Sequence, residues 1–198
     1  NSTYKIYSAL IALDAGIITA KDSAMAWNGE ACPFDSWNRD QNLNTAMTNS
    51  VNWYFMNLDR QSGLDSIKRE LTALSYGNLD FSGGLSRFWL ESSLKISPLE
   101  QVKLLAALSG HTLPYSERDM ETVKDALFLS SDGTSSLYGK TGTGTVDEKN
   151  TNGWFIGFIE SENGSCSFAV HIKGDDGATG TKAGEIALRI LKEKQLYG

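Results

Sequence analysis

The strongest constraint on the fold is a change in the spacing of apolar residues near position 130. Before it, apolar residues recur at helical spacing, whereas Leu137–Thr143 and Gly153–Glu160 beyond it are rich in aromatic and β-branched residues, as strands are. Asn163-Gly164, followed by Cys166–Ile172, is typical of a β-hairpin. An apolar stripe over Ala183–Leu191 predicts a closing helix. This order predicts an α/β protein of the α+β type, in which an antiparallel sheet flanked by helices faces a mostly helical lobe across a cleft.

The helical part of the chain is predicted to contain five helices and one long loop. The helices are expected to run from Ser2 to about Gly16 and over 45–58, 64–74, 97–108 and 116–129. The clearest start is Ser97-Pro98-Leu99-Glu100, where serine caps the helix, proline takes the first position and glutamate closes a capping box. Residues 21–44 show no sustained period and predict a loop held against the body by three aromatic residues, Trp27, Phe34 and Trp37.

Length and composition predict a single domain of two lobes over residues 1–198. The 40% of residues that are hydrophobic are enough for one well-filled core. We expect residues 1–20 and 131–198 to form the sheet-and-helix lobe and residues 21–130 the mostly helical lobe. A formal net charge of −6 argues against a nucleic-acid partner, because no basic run is available to neutralise phosphates. No segment reaches the ~20 apolar residues of a membrane span, so any membrane tether is expected outside this sequence.

Ser2 and Lys5 are the first candidates for catalysis. Their Ser-x-x-Lys spacing places a hydroxyl and an amine one helical turn apart, where the amine can take the hydroxyl proton. The start of a helix adds free amides and partial positive potential near the nucleophile. Alone the pair is a weak motif, since a helix-capping serine and a solvated lysine at this spacing occur by chance in most chains.

Two further motifs follow in the order that a penicillin-recognising acyl-transfer site requires. Lys140-Thr141-Gly142 lies on a predicted strand, and Ser-x-x-Lys with Lys-Thr-Gly is the motif pair of β-lactamases and penicillin-binding proteins. Such a strand would receive a substrate like an added strand, with Lys140 and the threonine hydroxyls facing the substrate carboxylate. Ser50-Val51-Asn52 lies between the two motifs and is uninformative alone. The ordered set of three predicts Ser2 as the nucleophile.

Longer segments that contain these motifs resemble class D β-lactamases: Ser2-Thr3-Tyr4-Lys5, Tyr76-Gly77-Asn78, Phe88-Trp89-Leu90-Glu91, Leu94-Lys95-Ile96-Ser97, Lys140-Thr141-Gly142-Thr143 and Gly153-Trp154-Phe155. Two segments are more similar to the extracellular sensor domains of the BlaR/MecR β-lactam receptors: Asn1-Ser2-Thr3-Tyr4-Lys5-Ile6-Tyr7 and Asn49-Ser50-Val51-Asn52-Trp53-Tyr54-Phe55. The resemblance covers essentially the whole chain and implies the penicillin-recognising serine transferase fold. Those families place strands upstream of the nucleophile, so we expect this chain to lack the first strands of its domain.

The resemblance implies a role for each catalytic candidate. Ser2 would be acylated, and Lys5 would be its general base, as an N-carboxylated lysine formed with carbon dioxide. Ser50 would relay a proton to the leaving amine, and Trp89, which we count among the substrate-binding residues, would pack or hydrogen-bond beside the carbamate. Class D enzymes carry an apolar residue where this chain has Asn52, whose amide can hydrogen-bond Lys5 and let its ammonium form persist. Asn52 is therefore predicted to prolong the life of the acyl-protein.

The resemblance also implies how a ligand is held. Lys140, Thr141 and Thr143, with Gly142 between the threonines, would bind the antibiotic carboxylate, and the backbone amides of Ser2 and Thr143 would form the oxyanion hole. Class D enzymes usually carry an arginine before the last helix, where this chain has residues 177–182, and Lys182 is left out of the predicted site. No Cys or His cluster has metal-ligand spacing, so no metal is predicted and carbon dioxide is the only cofactor expected.

Three functions share this chemistry. The preferred one is an extracellular β-lactam sensor that stays acylated with little or no turnover and signals the induction of resistance through the membrane-embedded remainder of its own receptor. The alternatives are a class D β-lactamase that hydrolyses its acyl-enzyme and a cell-wall transpeptidase. A non-catalytic structural domain would make three ordered motifs a coincidence.

Overall fold

The computed structural model describes residues 1–198 and confirms the predicted α+β fold. A 3-10 turn at Ser2–Tyr4 leads into the first helix, and another lies at Asp35–Trp37. The helices are α1 (Lys5–Asp14), α2 (Leu43–Thr48), α3 (Asn52–Ser62), α4 (Leu64–Ala73), α5 (Pro98–Ser109), α6 (Glu117–Leu127) and α7 (Gly180–Glu193). The strands are β1 (Phe128–Ser131), β2 (Ser135–Val146), β3 (Lys149–Ser161) and β4 (Gly164–Lys173).

The four strands form one antiparallel sheet in the order β1-β2-β3-β4. β2 and β3 pair along their whole length, from Ser135 opposite Ser161 to Val146 opposite Lys149. β1 covers the other side of β2 only as far as Tyr138, so the edge of β2 beyond Tyr138 pairs with no strand. An unpaired strand edge offers backbone N–H and C=O groups to an added strand or a ligand.

The central helix is α1, which is buried from Lys5 to Leu13. A helix without a polar face must be covered all round, and α1 packs against α3, α4 and α6. The Ser2–Tyr4 turn before it contacts β2 and β3 instead. The lobes therefore differ in packing from the predicted ranges: α1, predicted with the sheet, packs among helices, whereas α5, predicted in the helical lobe, covers β3 and β4.

The helix predicted over 45–58 is two helices, and the break between them shapes the site. α2 ends at Thr48 and α3 begins at Asn52, with Ser50 between them in the left-handed conformation at a φ of 54°. A left-handed residue cannot continue a right-handed helix, so Ser50 lies in a turn rather than on the helix where we placed it.

The other predicted helices agree with the structure apart from their ends. Ser97 and Glu100 form the predicted capping box at the start of α5. The helix predicted over 116–129 ends at Leu127, because Phe128 begins β1 and hydrogen-bonds into the sheet. None of the helices combines the length and the apolar character that crossing a membrane requires.

One tryptophan ties the long loop between α1 and α2 to the turn at Ser50. Trp37 donates from Nε1 to the carbonyl of Asn49 at 2.9 Å, and Trp53 of α3 donates from Nε1 to the carbonyl of Trp37 at 2.9 Å. The other two aromatic residues do not pin the loop as predicted. Phe34 is 58% exposed and contacts Trp37, and the indole of Trp27 bonds within the loop, to the carbonyl of Glu30.

Candidate active site

Ser2 and Lys5 lie together at the start of the central helix. Ser2 is the first residue of the 3-10 turn, and Lys5 is the first residue of α1. Lys5 Nζ lies 3.0 Å from Ser2 Oγ. Lys5 has no exposed surface, while Ser2 lines the cleft between the helices and β2. The structure thus pairs a hydroxyl open to ligands with a buried amine, as the Ser-x-x-Lys spacing predicts.

Four oxygen atoms surround the amine of Lys5. Its Nζ lies 2.6 Å from the Ser50 carbonyl oxygen and 2.7 Å from Asn52 Oδ1. The hydroxyls of Ser2 and Ser50 lie at 3.0 and 2.9 Å. Carbonyl and amide oxygens only accept hydrogen bonds, whereas hydroxyls also donate. A neutral amine satisfies this arrangement, because its two hydrogens go to the carbonyl and to Asn52 and its lone pair is left for the Ser2 hydroxyl. A general base for Ser2 requires this geometry.

Burial favours the neutral form of both lysines at the site. It lowers the pKa of Lys5 well below the usual value, and the positive charge of Lys140 lowers it further. Lys140 is 4% exposed, and burial lowers the pKa of its ammonium to about 7. Both shifts arise because removing a charge from water costs free energy. Burial therefore favours the form of Lys5 that can accept a proton.

Ser50 connects the two lysines. Its Oγ lies 2.9 Å from Lys5 Nζ and 3.0 Å from Lys140 Nζ, which also donates to the carbonyl of Thr141 at 3.0 Å. The break between α2 and α3 brings both the carbonyl and the hydroxyl of Ser50 to Lys5. Ser2, Lys5, Ser50 and Lys140 thus form a continuous hydrogen-bonded chain along which a proton can move.

A cleft of about 500 Å³ opens above this chain. Six of the site residues predicted from the sequence line this cleft, and they come from both of its sides: Ser2, Ser50, Asn52, Thr141, Gly142 and Thr143. Its β2 side is the strand edge that pairs with no other strand, where Thr141 and Thr143 are exposed and Lys140 and Gly142 are buried. An acyl donor bound here has Ser2 on one side and free backbone groups on the other.

The N-terminus of α7 closes one end of the cleft. Gly180 donates its backbone N–H to Thr143 Oγ1 at 2.9 Å, and Thr179 caps the helix. A Cβ at Gly180 would lie 2.8 Å from Thr141 Cβ and 3.0 Å from the Gly142 nitrogen, so only glycine permits this approach. Lys182 is exposed and does not line the cleft.

Trp89 packs beside Lys5 but differs from its predicted role. It is 1% exposed and does not line the cleft, so it cannot contact a ligand there as we predicted. Its ring centroid lies 5.4 Å from Lys5 Nζ, and its Nε1 donates to Asp59 Oδ2 at 2.9 Å. Sequence reasoning missed Asp59 altogether. The available signal was its position seven residues after Asn52, on the same face of one helix.

A larger cavity of about 610 Å³ lies outside this site. The residues that bound it include Glu91, Trp154, His171 and Lys173. None of the four residues of the hydrogen-bonded chain lines it. His171 stacks on Trp154 with ring centroids 3.9 Å apart and bonds to Asn152, as expected of a packed histidine. The residues predicted for acyl transfer therefore lie at the smaller cleft and not at this cavity.

The known proteins that are similar in sequence and structure fall into two groups, regulatory receptor proteins and class D β-lactamases. A family model described as the penicillin binding protein transpeptidase domain matches residues 1–192. The regulatory protein BlaR1 of Bacillus licheniformis is 46% identical over 196 residues, which are 99% of this chain and 32% of that protein. The chain therefore spans a minor part of the length of that relative.

Solved structures give the same two groups. The C-terminal domain of the Bacillus licheniformis BlaR penicillin-receptor is 45% identical, with a TM-score of 0.95 and a match that covers 100% of this chain and 80% of that one. A class D β-lactamase from Bacillus subtilis is 41% identical, with a TM-score of 0.94 and coverage of 100% and 81%. The resemblance to receptor domains and to class D enzymes that the motifs predicted is confirmed.

Proposed function

The chain belongs to the family of penicillin-binding protein transpeptidase domains, and from this premise we propose that it is the β-lactam-sensing domain of a membrane-bound signal transducer. The observation that carries the proposal is the buried Lys5 amine, 3.0 Å from the open Ser2 hydroxyl and 2.7 Å from Asn52. The first contact supports acylation of Ser2, and the second supports a slow loss of the acyl group. The high identity to a regulatory receptor supports sensing over hydrolysis.

Acylation follows from the hydrogen-bonded chain. Ser2 Oγ attacks the carbonyl carbon of the β-lactam ring while its proton passes to the lone pair of Lys5 Nζ. The carbon–nitrogen bond of the ring then breaks, and Lys5 returns a proton through Ser50 Oγ to the departing nitrogen. The product is an ester on Ser2 and a neutral Lys5. We propose the backbone amides of Ser2 and Thr143 as the donors that stabilise the oxyanion, each worth about 3 kcal/mol in other acyl-transfer enzymes.

The exposed edge of β2 is the proposed binding surface for the ligand. Thr141 and Thr143 are exposed and line the cleft, with the buried Gly142 between them. Lys140 supplies positive charge beside Ser50 when it is protonated. This set matches the carboxylate that penicillins carry next to the ring nitrogen.

Carbon dioxide bound to Lys5 as a carbamate would supply an anionic base. A carbamate needs hydrogen-bond donors around it. The two atoms nearest to Nζ are instead acceptors, the Ser50 carbonyl at 2.6 Å and Asn52 Oδ1 at 2.7 Å. As arranged, the surroundings fit an amine, and the acylation above uses the amine alone.

The place of the domain in a receptor is also a proposal. We infer that it lies on the extracellular face of the cell membrane, where antibiotics and their cell-wall targets are found, and that its partner is the membrane-embedded remainder of the same receptor. The β-lactamase alternative is favoured by one observation, the 41% identity and near-identical fold of a class D enzyme. A transpeptidase would share the same acylation but pass the acyl group to a peptide amine.

Intact mass spectrometry after one equivalent of benzylpenicillin tests the proposal. We expect one added ligand mass on the peptide that carries Ser2, persisting for hours. Ser2→Ala should abolish the adduct, whereas Ser36→Ala, which changes another serine of the cleft wall, should retain it. An adduct in Ser2→Ala would contradict the assignment. Rapid turnover of a chromogenic cephalosporin would identify a β-lactamase, and turnover of a peptidyl donor would identify a transpeptidase.

A further inference from the structure

A buried carboxylate lies behind Lys5 and takes no part in the acylation described above. Asp59 is 1% exposed and lies on α3, about two turns beyond Asn52. It accepts hydrogen bonds from the Tyr4 hydroxyl at 3.0 Å and from the Ser8 hydroxyl at 2.7 Å, both on the adjoining N-terminal turn and helix. The interface between α1 and α3 thus carries two polar layers, Lys5 with Asn52 and Asp59 with Tyr4 and Ser8.

Trp89 connects these two layers. Its Nε1 donates to Asp59 Oδ2 at 2.9 Å, while its ring centroid lies 5.4 Å from Lys5 Nζ. Tyr4 stacks on the indole, with centroids 5.6 Å apart and an interplanar angle of 26°. An indole has a single N–H and no acceptor, so the bond to Asp59 leaves it nothing to donate elsewhere. Trp89 therefore offers Lys5 the face of its ring and not its N–H.

We propose that Asp59 is a positioning residue that holds the indole N–H of Trp89 away from Lys5, so that Lys5 persists as an amine rather than a carbamate. A carbamate on Lys5 would need donors, and the Ser50 carbonyl and Asn52 Oδ1 beside Nζ are acceptors. The indole N–H of Trp89 could be such a donor, because the ring already lies next to Lys5. Asp59 accepts this N–H instead. The consequence, a long-lived acyl-Ser2, rests on the proposed function, whereas the state of Lys5 in the free protein does not.

The experiment is made first on the free protein in ¹³C-labelled bicarbonate, without antibiotic. The parent should show little or no carbamate carbon resonance. Asp59→Ala should gain that resonance, and the ¹⁵N–H resonance of the Trp89 indole should shift. The double variant Asp59→Ala/Trp89→Phe should lose the gain, because phenylalanine has no N–H. The matched control is Ser8→Ala, which removes the 2.7 Å bond to the same carboxylate but leaves the bond from Trp89, and it should resemble the parent.

Two results would overturn the proposal. One is a folded Asp59→Ala protein that is acylated like the parent and shows no carbamate gain. The other is an equal gain in the double variant, which would mean that the indole is not the donor. If Asp59→Ala does not fold, the parent itself decides: it should show no carbamate resonance in ¹³C-labelled bicarbonate, whereas a resonance that is present in the parent and lost in Trp89→Phe would overturn the proposal by showing that the N–H already serves Lys5.

The lifetime of the adduct provides the functional measurement. In Asp59→Ala with bicarbonate, decay of the penicillin adduct should be faster by up to ~10²-fold, the lower end of what a general base contributes. Unchanged decay in a variant that has gained the carbamate would contradict the link to lifetime. If the parent itself takes up no penicillin, the proposed function fails, while the comparison of carbamate levels among the variants still stands or falls separately.

Discussion

At the scale of single residues, the reactive chain at the base of the cleft is built from two amines and two hydroxyls. Lys5 and Lys140 meet at Ser50 Oγ, and Ser2 contacts Lys5. In the proposed acylation the Ser2 proton passes to Lys5, and burial favours the neutral amine that accepts it. Any group that accepts a hydrogen bond from Nζ, as Asn52 does, changes how readily that amine acts as a base.

A long-lived adduct requires a large increase in the free-energy barrier to deacylation. Deacylation at ~100 per second corresponds to a barrier near 15 kcal/mol, whereas an adduct that survives for hours faces about 23 kcal/mol. Loss of a general base accounts for ~10² to 10⁴-fold, or about 3 to 5 kcal/mol. A missing base is therefore not the whole cause, and poor placement of the attacking water must supply the rest of a difference of about 8 kcal/mol.

Asn52→Val should consequently give only partial turnover. The variant removes the acceptor 2.7 Å from Lys5 Nζ and leaves an apolar group beside the amine. We expect faster decay of the penicillin adduct that depends on added bicarbonate, followed by intact mass over time. Asn49→Ala, another change in the cleft wall, serves as the control and should decay like the parent. Identical lifetimes for Asn52→Val and the parent would eliminate this role for Asn52.

At the scale of elements, the cleft depends on how closely α7 approaches β2. Gly180, the first residue of α7, packs on Thr141 and Gly142 and donates its N–H to Thr143. The N-terminus of α7 thus packs against the edge of β2 that would bind the ligand and fixes its position. A displacement of α7 moves the hydroxyl of Thr143 without touching Ser2 or Lys5.

Gly180→Ala should therefore slow acylation by penicillin, by up to ~10²-fold, because a misplacement of about 1 Å in a reactive geometry costs this much. The added Cβ would lie 2.8 Å from Thr141 Cβ and has to push the helix away. Gly184→Ala is the matched control, since its Cβ would lie 3.8 Å from Phe155 Cγ, an ordinary contact. The control should acylate normally and gain about 0.5–1 kcal/mol of stability as a helix-interior alanine. Equal acylation rates would contradict the role of Gly180.

At the scale of the whole molecule, enclosing two amines between the helices and the sheet makes stability depend on pH. The unfolded chain keeps the Lys140 proton up to its usual pKa of 10.5, whereas the folded protein releases it above a pKa of about 7. Between these values the unfolded state binds more protons, so the free energy of unfolding rises with pH, and Lys140 alone contributes a limiting slope of about 1.4 kcal/mol per pH unit. Below about pH 7 the full cost of burying the charge is present.

Urea unfolding between about pH 7 and 9 should show a rise to which both amines contribute in the parent, and Lys140→Met should reduce the slope by up to about 1.4 kcal/mol per pH unit while the contribution of Lys5 remains. The range stops there because burial raises the pKa of Tyr4 and Tyr7, which lowers stability at higher pH, where the unfolded state ionises first. Lys194→Met, a change of an exposed lysine, should keep the slope of the parent. Equal slopes for Lys140→Met and the parent would show that Lys140 stays protonated in the folded protein.

Sequence patterns were sufficient for the fold class, for most of the elements and for the residues that line the cleft. Hydrophobic period, caps and turns are local properties, so the capping box of α5 and the strands after residue 130 were predictable. Ser2, Lys5, Ser50 and Lys140 were found because acyl transfer needs those residue types in that order.

Tertiary packing decided the features that the spacing of residues along the sequence cannot predict. The left-handed turn at Ser50 lies between α2, which packs on α6, and α3, which packs on α1, and Trp37 of the long loop bonds to it, so a continuous apolar pattern concealed the break. Trp89 was expected to serve Lys5, yet its N–H goes to Asp59, 30 residues away in the chain. A buried donor takes whichever acceptor the packed helices bring to it, and that choice depends on the whole arrangement of α1 and α3 rather than on any motif.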